Sequence, residues 1–201
     1  DIDFHQTVSD MAGINRFQAK TINLGLFYGM GKAKLQAELG LSTKQEAEEL
    51  FNKYHDRVPF VRDLMNETSR WASREGEIRT LLGRGCRFDK WEPAQFGMHT
   101  PMTWEDAVKK YGENRIRRAF TYKALNKLIQ GSAADMTKKS MLDLYKEGII
   151  AHIQIHDELD LSVESKEQAD KIIEIMENAV KLAVPNKVDY ESGKTWGDIY
   201  G

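Results

Sequence analysis

The sequence predicts an α+β protein, predominantly helical, with its strands in two short antiparallel hairpins and a late extended segment. Three observations predict it. Apolar residues recur at helical spacing behind capping residues over the first 75 positions. Two segments, 77–89 and 151–164, alternate in strand-turn-strand fashion. Glycines stand where the helical patterns stop, at Gly40, Gly76 and Gly148.

Taken in order, residues 14–29 are the first long helix candidate, and "MGKAKLQAELG" gives a short second one closed by Gly40. "LSTKQEAEELFNKYHDR" opens with Thr43 followed three residues later by Glu46, a capping-box spacing, and then carries apolar Ala47, Leu50, Phe51 and Tyr54. Pro59 suits the first turn of the next helix, whose Phe60, Val61, Leu64, Met65, Thr68 and Trp71 keep a 3.6-residue period up to Gly76. Residues 77–89 read as a hairpin turning at Gly83-Arg84-Gly85, and 90–102 as a loop with two prolines. Thr103, with Asp106 three residues on, starts a short helix. Residues 114–130 read as a long basic helix, broken at Gly131 and followed by another over 133–147. "IIAHIQIHDELDLSVES" alternates around His156-Asp157-Glu158. Ser165 with Gln168 caps a helix carrying Ile172, Ile173, Met176, Ala179, Val180 and Ala183, and "KVDYESG" is expected as a final strand.

At 201 residues and 23.1 kDa the chain can build one sizeable core or two small lobes. Hydrophobic residues at 41% and charged residues at 30% place it among globular rather than disordered proteins. No apolar run approaches the roughly 18 residues that cross a bilayer, so no membrane partner is expected. Cys86 is the only cysteine, which excludes an internal disulfide and fits a cytoplasmic setting. The first residue is Asp1, and no signal peptide precedes it; a fragment or processed product is expected. The net charge of −2 conceals segregation. Residues 16–44 hold Arg16, Lys20, Lys32, Lys34 and Lys44 against Glu38 alone. Residues 109–127 hold seven cations against Glu113, and from 135 onward there are 14 acids, 8 lysines and no arginine. Two basic stretches and an acidic tail suit a protein that holds a polyanion on one side, although solvated helix faces explain such runs as well.

Arg16, Lys20, Leu24 and Tyr28 are spaced by four, along one stripe of a helix. Twelve residues at about 1.5 Å rise span roughly 18 Å, comparable to an extended nucleoside triphosphate. Two cations at one end can neutralise phosphates, Arg as a fork and Lys as a point charge, while a tyrosine at the other offers a ring for stacking. Gly25 costs about 1 kcal/mol against Ala inside a helix, which is explained if something must approach the backbone there.

"RFQAKTINLGLFYGMG" resembles motif B, the fingers helix of family A (DNA polymerase I-like) DNA polymerases, and "IQIHDELDLSV" resembles their motif C. "YHDRVPFVRDLM", "TLLGRGCRF" and "ALNKLIQGSAADM" fall between them in the family's order; "DIDFHQTVSDMAG" resembles the segment before motif B and "GKTWGDIY" the C-terminus. The character is bacteriophage-like. The resemblance implies fingers helices plus the C-terminal part of the antiparallel palm sheet of a right-hand polymerase. Residues 1–110 would be the fingers, with the motif B helix at about 14–29, and residues 111–201 the palm portion, with the motif C hairpin at about 151–164.

It also implies roles. Arg16 and Lys20 would hold the incoming dNTP, Lys20 with a catalytic part, beside Leu24, Tyr28 and Gly29. Where the family usually has Phe or Tyr, this chain has Leu24. Lacking a hydroxyl, it is expected to discriminate against dideoxynucleotides as Phe does. Asp157 and Glu158 would be the catalytic and metal-binding pair, holding Mg²⁺, two ions in the complete enzyme. Asn126 and Gln130 would reach the minor groove of primer-template DNA, where hydrogen-bond acceptors are common to every base pair. His156 and Gln154 would hold the primer terminus, and Arg117 and Arg84 the strand backbones.

The family's motif A, a strand with "D-Y-S-Q-I-E"-like residues carrying the second metal carboxylate, has no counterpart in these 201 residues. Partners implied are therefore an N-terminal polymerase segment with motif A and thumb, in the same or a separate chain, and a processivity factor. The chain alone is expected to be inactive. The competing readings are a non-catalytic nucleic-acid-binding or assembly subunit of a split polymerase, and a fragment of a single-subunit RNA polymerase. A stand-alone metal phosphohydrolase is weaker, because its other ligands are not evident.

Overall fold

The computed structural model describes residues 3–27, 30–95 and 97–200. The chain forms two compact units, residues 1–130 and 131–201. In the first, Asp3 caps α1 (Phe4–Ala12), an element without a counterpart in the sequence reading, and Gly13 ends it with φ of 60°. Helix α2 (Arg16–Phe27) begins behind a reciprocal cap: Asn15 Oδ1 accepts from the Gln18 N–H (2.8 Å) and Gln18 Oε1 from the Asn15 N–H (3.2 Å). Helices α3 (Lys32–Glu38), α4 (Lys44–Arg57) and α5 (Pro59–Glu75) follow as predicted. Thr43 accepts from the Glu46 N–H, and Glu46 reaches back to the Ser42 N–H. Pro59 occupies the first turn of α5.

The first core is built by these helices. Val8, Ala19, Ile22, Met30, Leu35, Tyr54, Val58 and Val61 are all buried together. Burying apolar surface of this kind is worth about 25 cal/mol per Å², so α1 to α5 stand by packing as well as by local caps. A buried polar chain runs through the same core. Tyr54 donates to Asn23 Oδ1 (2.8 Å), and Asn23 Nδ2 donates to His5 Nδ1 (3.1 Å), joining α4, α2 and α1.

A second cluster, Ala72, Ile78, Phe88 and Ala124, seats a hairpin on the end of α5. Strands β1 (Glu77–Arg79) and β2 (Gly85–Arg87) pair antiparallel with Ile78 opposite Cys86, the hairpin the sequence predicts. Gly76 leaves α5 with φ of 73°, and a Cβ there would lie 2.6 Å from the Arg118 guanidinium carbon. Conformation favours glycine at 76, whereas the flexible Arg118 end could give way to an added Cβ.

Three expectations for residues 90–146 are corrected. The loop expected over 90–102 contains β3 (Trp91–Pro93). The basic helix expected from 114 is instead a 3-10 turn and then β4 (Ile116–Arg118), antiparallel to β3, with α6 (Trp104–Tyr111) between them in sequence. Cross-strand chemistry decides it. Arg117 pairs with Glu92 (2.9 Å), and Arg118 stacks on Trp91 and donates to the Phe88 carbonyl. Phe120, at φ of 64°, then turns the chain before helix resumes. Helix α7 (Ala124–Lys146) is continuous through Gly131, a glycine that costs about 1 kcal/mol and does not stop a packed helix.

In the second unit, β5 (Ile153–Ile155) and β6 (Glu158–Asp160) form the predicted antiparallel hairpin. Ser165 caps α8 (Lys166–Asn178) by accepting from the Gln168 N–H. Leu144, Ala169, Ile172 and Val180 are its buried apolar residues. "KVDYESG" forms no strand: the Val188 N–H donates to the Glu177 carboxylate rather than to a ladder. A last turn, α9 (Gly197–Tyr200), follows. Among the described residues no helix is long and apolar enough to cross a membrane.

Candidate active site

The first constellation lies on α2. Arg16 and Lys20 are exposed one turn apart in its first half, and Leu24, 43% exposed, follows one turn later. Ala19, Ile22 and Asn23 face the core. The helix thus buries one side and offers the other, at its positive end, to an anion. Tyr28 and Gly29 lie outside the described residues. Arg16 is held by Asp3: Nε and Nη2 both donate to Oδ2, at 2.8 and 2.7 Å. The Gln6 N–H and the Arg16 guanidinium keep the Asp3 carboxyl below its usual range.

Gly25 receives a different explanation from the one its position invites. A Cβ there would fall 1.6 Å from Met30 Cε, and the Met30 N–H donates to the Gly25 carbonyl (2.8 Å). The group approaching the helix at Gly25 is this chain's own Met30, itself in the core.

The second constellation is the β5–β6 hairpin. Ile155 pairs with Glu158, leaving a two-residue turn of His156 and Asp157. His156 takes φ of 53°, a region that non-glycine residues occupy at a cost. Gln154 Nε2 donates across the turn to the His156 carbonyl (2.6 Å). Asp157 is exposed at the tip and Glu158 half-buried at the start of β6. Sequence reasoning passed over Asp160, two residues further along the same strand face. One of its carboxylate oxygens is buried without a hydrogen bond, and burial together with Glu158 pushes its pKa up. The alternation Glu-Leu-Asp was the signal that could have found it.

The remaining candidates are dispersed. Arg84 is exposed in the β1–β2 loop, its N–H donating to Thr80 Oγ1, and Arg117 is engaged by Glu92. Asn126 and Gln130 lie one turn apart on α7, the first half-buried and the second exposed. Among the described residues no group of three or more His, Cys, Asp or Glu side chains could hold a metal ion. Asp157 and Glu158 are therefore an incomplete donor set by themselves.

The chain is similar to known proteins throughout its length. The model for DNA polymerase family A matches residues 3–198. A DNA-directed DNA polymerase of Pseudomonas phage M6 is 33% identical over 232 residues, covering 99% of this chain and 32% of the relative. DNA polymerase I of Geobacillus stearothermophilus is 34% identical over 205 residues, covering 97% of this chain and 21% of the relative. Among solved structures, the POL domain of Pol1 from M. smegmatis, in complex with DNA primer-template and dNTP, matches with a TM-score of 0.76 and 27% identity, over 99% of this chain and 35% of that one. Matches of this extent, running through helix α2 and the β5–β6 hairpin alike, define part of a DNA polymerase domain. The chain belongs to DNA polymerase family A. It spans about a third of the phage relative's length and about a fifth of the bacterial one's.

Proposed function

We propose that this chain is the C-terminal portion of a template-directed DNA polymerase, with fingers over residues 1–110 and palm over 111–201, acting with an upstream segment that carries motif A and the thumb. The observation that carries this reading is that one family match, residues 3–198, runs through both the cationic face of α2 and the acidic tip of the β5–β6 hairpin. Arg16 and Lys20 would neutralise the triphosphate of the dNTP, with Leu24, Tyr28 and Gly29 beside the nascent pair. Asn126 and Gln130 would follow the minor groove of the primer-template. His156 and Gln154 would meet the primer end, and Arg84 and Arg117 the strand backbones. Asp157, with Glu158, would share Mg²⁺ with the upstream carboxylate; the ion, when bound, supplies charge stabilisation for phosphoryl transfer. Such an enzyme works in the cytoplasm, that of the bacterial host if phage-encoded.

Primer extension tests the proposal. The purified chain with Mg²⁺ and dNTPs should give no product, the mixture with the upstream segment should extend, and Asp157→Ala should abolish that extension. Robust synthesis by the chain alone would remove the need for the upstream segment. DNA binding without synthesis in the mixture would favour a non-catalytic subunit. In the active mixture, equal use of dideoxy- and deoxynucleotides would refute the discriminating role of Leu24.

A further inference from the structure

We infer that Asp3 is a positioning residue, which presets the Arg16 guanidinium for the triphosphate; the inference rests on the nucleotide-binding reading of α2. The two oxygens of Asp3 have separate duties. Oδ1 accepts from the His5 and Gln6 N–H groups, at 2.9 and 3.0 Å, and so caps α1. Oδ2 accepts from both Nε and Nη2 of Arg16. An ordinary surface pair must immobilise two flexible side chains and gains little. Here the cap has already fixed the carboxylate, so only Arg16 remains to be ordered. The contact takes Nε–H and one Nη2–H, leaving the Nη1 pair and the second Nη2–H for another acceptor. Arg16 is still 54% exposed, so those donors are open to an anion. Lys20, one turn on, has no such tether: it is exposed, and no ion pair holds it among the described residues. The geometry therefore separates a preset fork from a mobile point charge on the same helix face.

Asp3→Asn separates the two duties. Asn caps a helix as well as Asp, but its amide nitrogen would face the guanidinium donors. Three measurements on the full chain test the inference: thermal unfolding, the Arg16 Nε–H resonance, and the dissociation constant for dATP at physiological salt. In Asp3→Asn the melting temperature should hold, the protected Nε–H resonance should be lost, and dATP should bind about three- to tenfold more weakly, the range carried by one freed long side chain. Asp3→Ala should show the same weakening with a lowered melting temperature. Unchanged dATP affinity in Asp3→Asn would overturn the inference alone. Tighter binding would also overturn it, making Asp3 a competitor for Arg16. If the unaltered chain binds no dATP while its Nε–H is protected, the nucleotide reading of α2 fails, and the inference falls with it.

Discussion

At Gly25 a missing side chain shapes the end of a helix. Met30 fills the space that a Cβ would need, and its backbone N–H closes on the Gly25 carbonyl. Gly25→Ala should destabilise the first unit by about 1–3 kcal/mol through overpacking, less the ~1 kcal/mol that alanine gains in a helix. Met30→Ala should cost about 2–5 kcal/mol. Urea unfolding of the double variant should give a cost smaller than the sum by at least about 0.5 kcal/mol, and additive costs would show that the two residues do not share this space. A second residue sets a pH dependence. His55 is buried against Phe51 and Tyr54, with its Nδ1 unpartnered. Burial, then the nearby Arg62, push its pKa below the ordinary 6.5, against a smaller opposing pull from Asp56. The unfolded chain therefore takes up the proton first as pH falls. Stability should be full above about pH 6.5 and decline as pH drops toward the folded pKa. His55→Phe should flatten that decline, and equal slopes in both proteins would exclude His55 as its source. Burial raises the neighbouring Tyr54 pKa to about 12, so Tyr54 stays a neutral donor to Asn23 over the same range.

At the scale of elements, the caps were legible because they are local. Thr43, Thr103 and Ser165 each accept from the N–H three residues on, as their spacing requires. The β5–β6 hairpin was equally legible, since its alternation and its turn lie within a few residues. Its tip carries strain that the sequence hints at only by placing His where Gly or Asn is usual. His156→Gly should stabilise the second unit by between about 0 and 1 kcal/mol, because glycine accepts positive φ but costs more entropy to order. In an active mixture with the upstream segment it should weaken primer-template binding. A clear drop in melting temperature would mean that the histidine side chain, not the turn, holds the hairpin. The strand β4 was not legible. Arg-Ile-Arg-Arg reads as part of a basic helix until Glu92 and Trp91 stand opposite it.

At the scale of the whole molecule, the second unit leaves much apolar surface uncovered. Tyr145, Ile150 and Ile153 are each at least half exposed, and β5 is exposed along its length. An open strand edge and such a surface favour association. Sedimentation of the chain should show concentration-dependent self-association, relieved by the upstream polymerase segment; a monomer at all concentrations would show that this surface is tolerated. The candidate site divides along the same lines as the fold. The Arg16–Lys20–Leu24 stripe and the Asp157 tip follow from periods of four and two, so the sequence by itself determined them, along with the caps, most helices and the family. Only the tertiary structure decided that Asp3 clamps Arg16, that Met30 fills the gap at Gly25, that β3 finds β4 and that α7 runs unbroken through Gly131. A side chain specifies its neighbours within a turn through short-range hydrogen bonds and sterics. Which distant segment meets it depends on the whole chain closing around a shared core, where burial outweighs local preference.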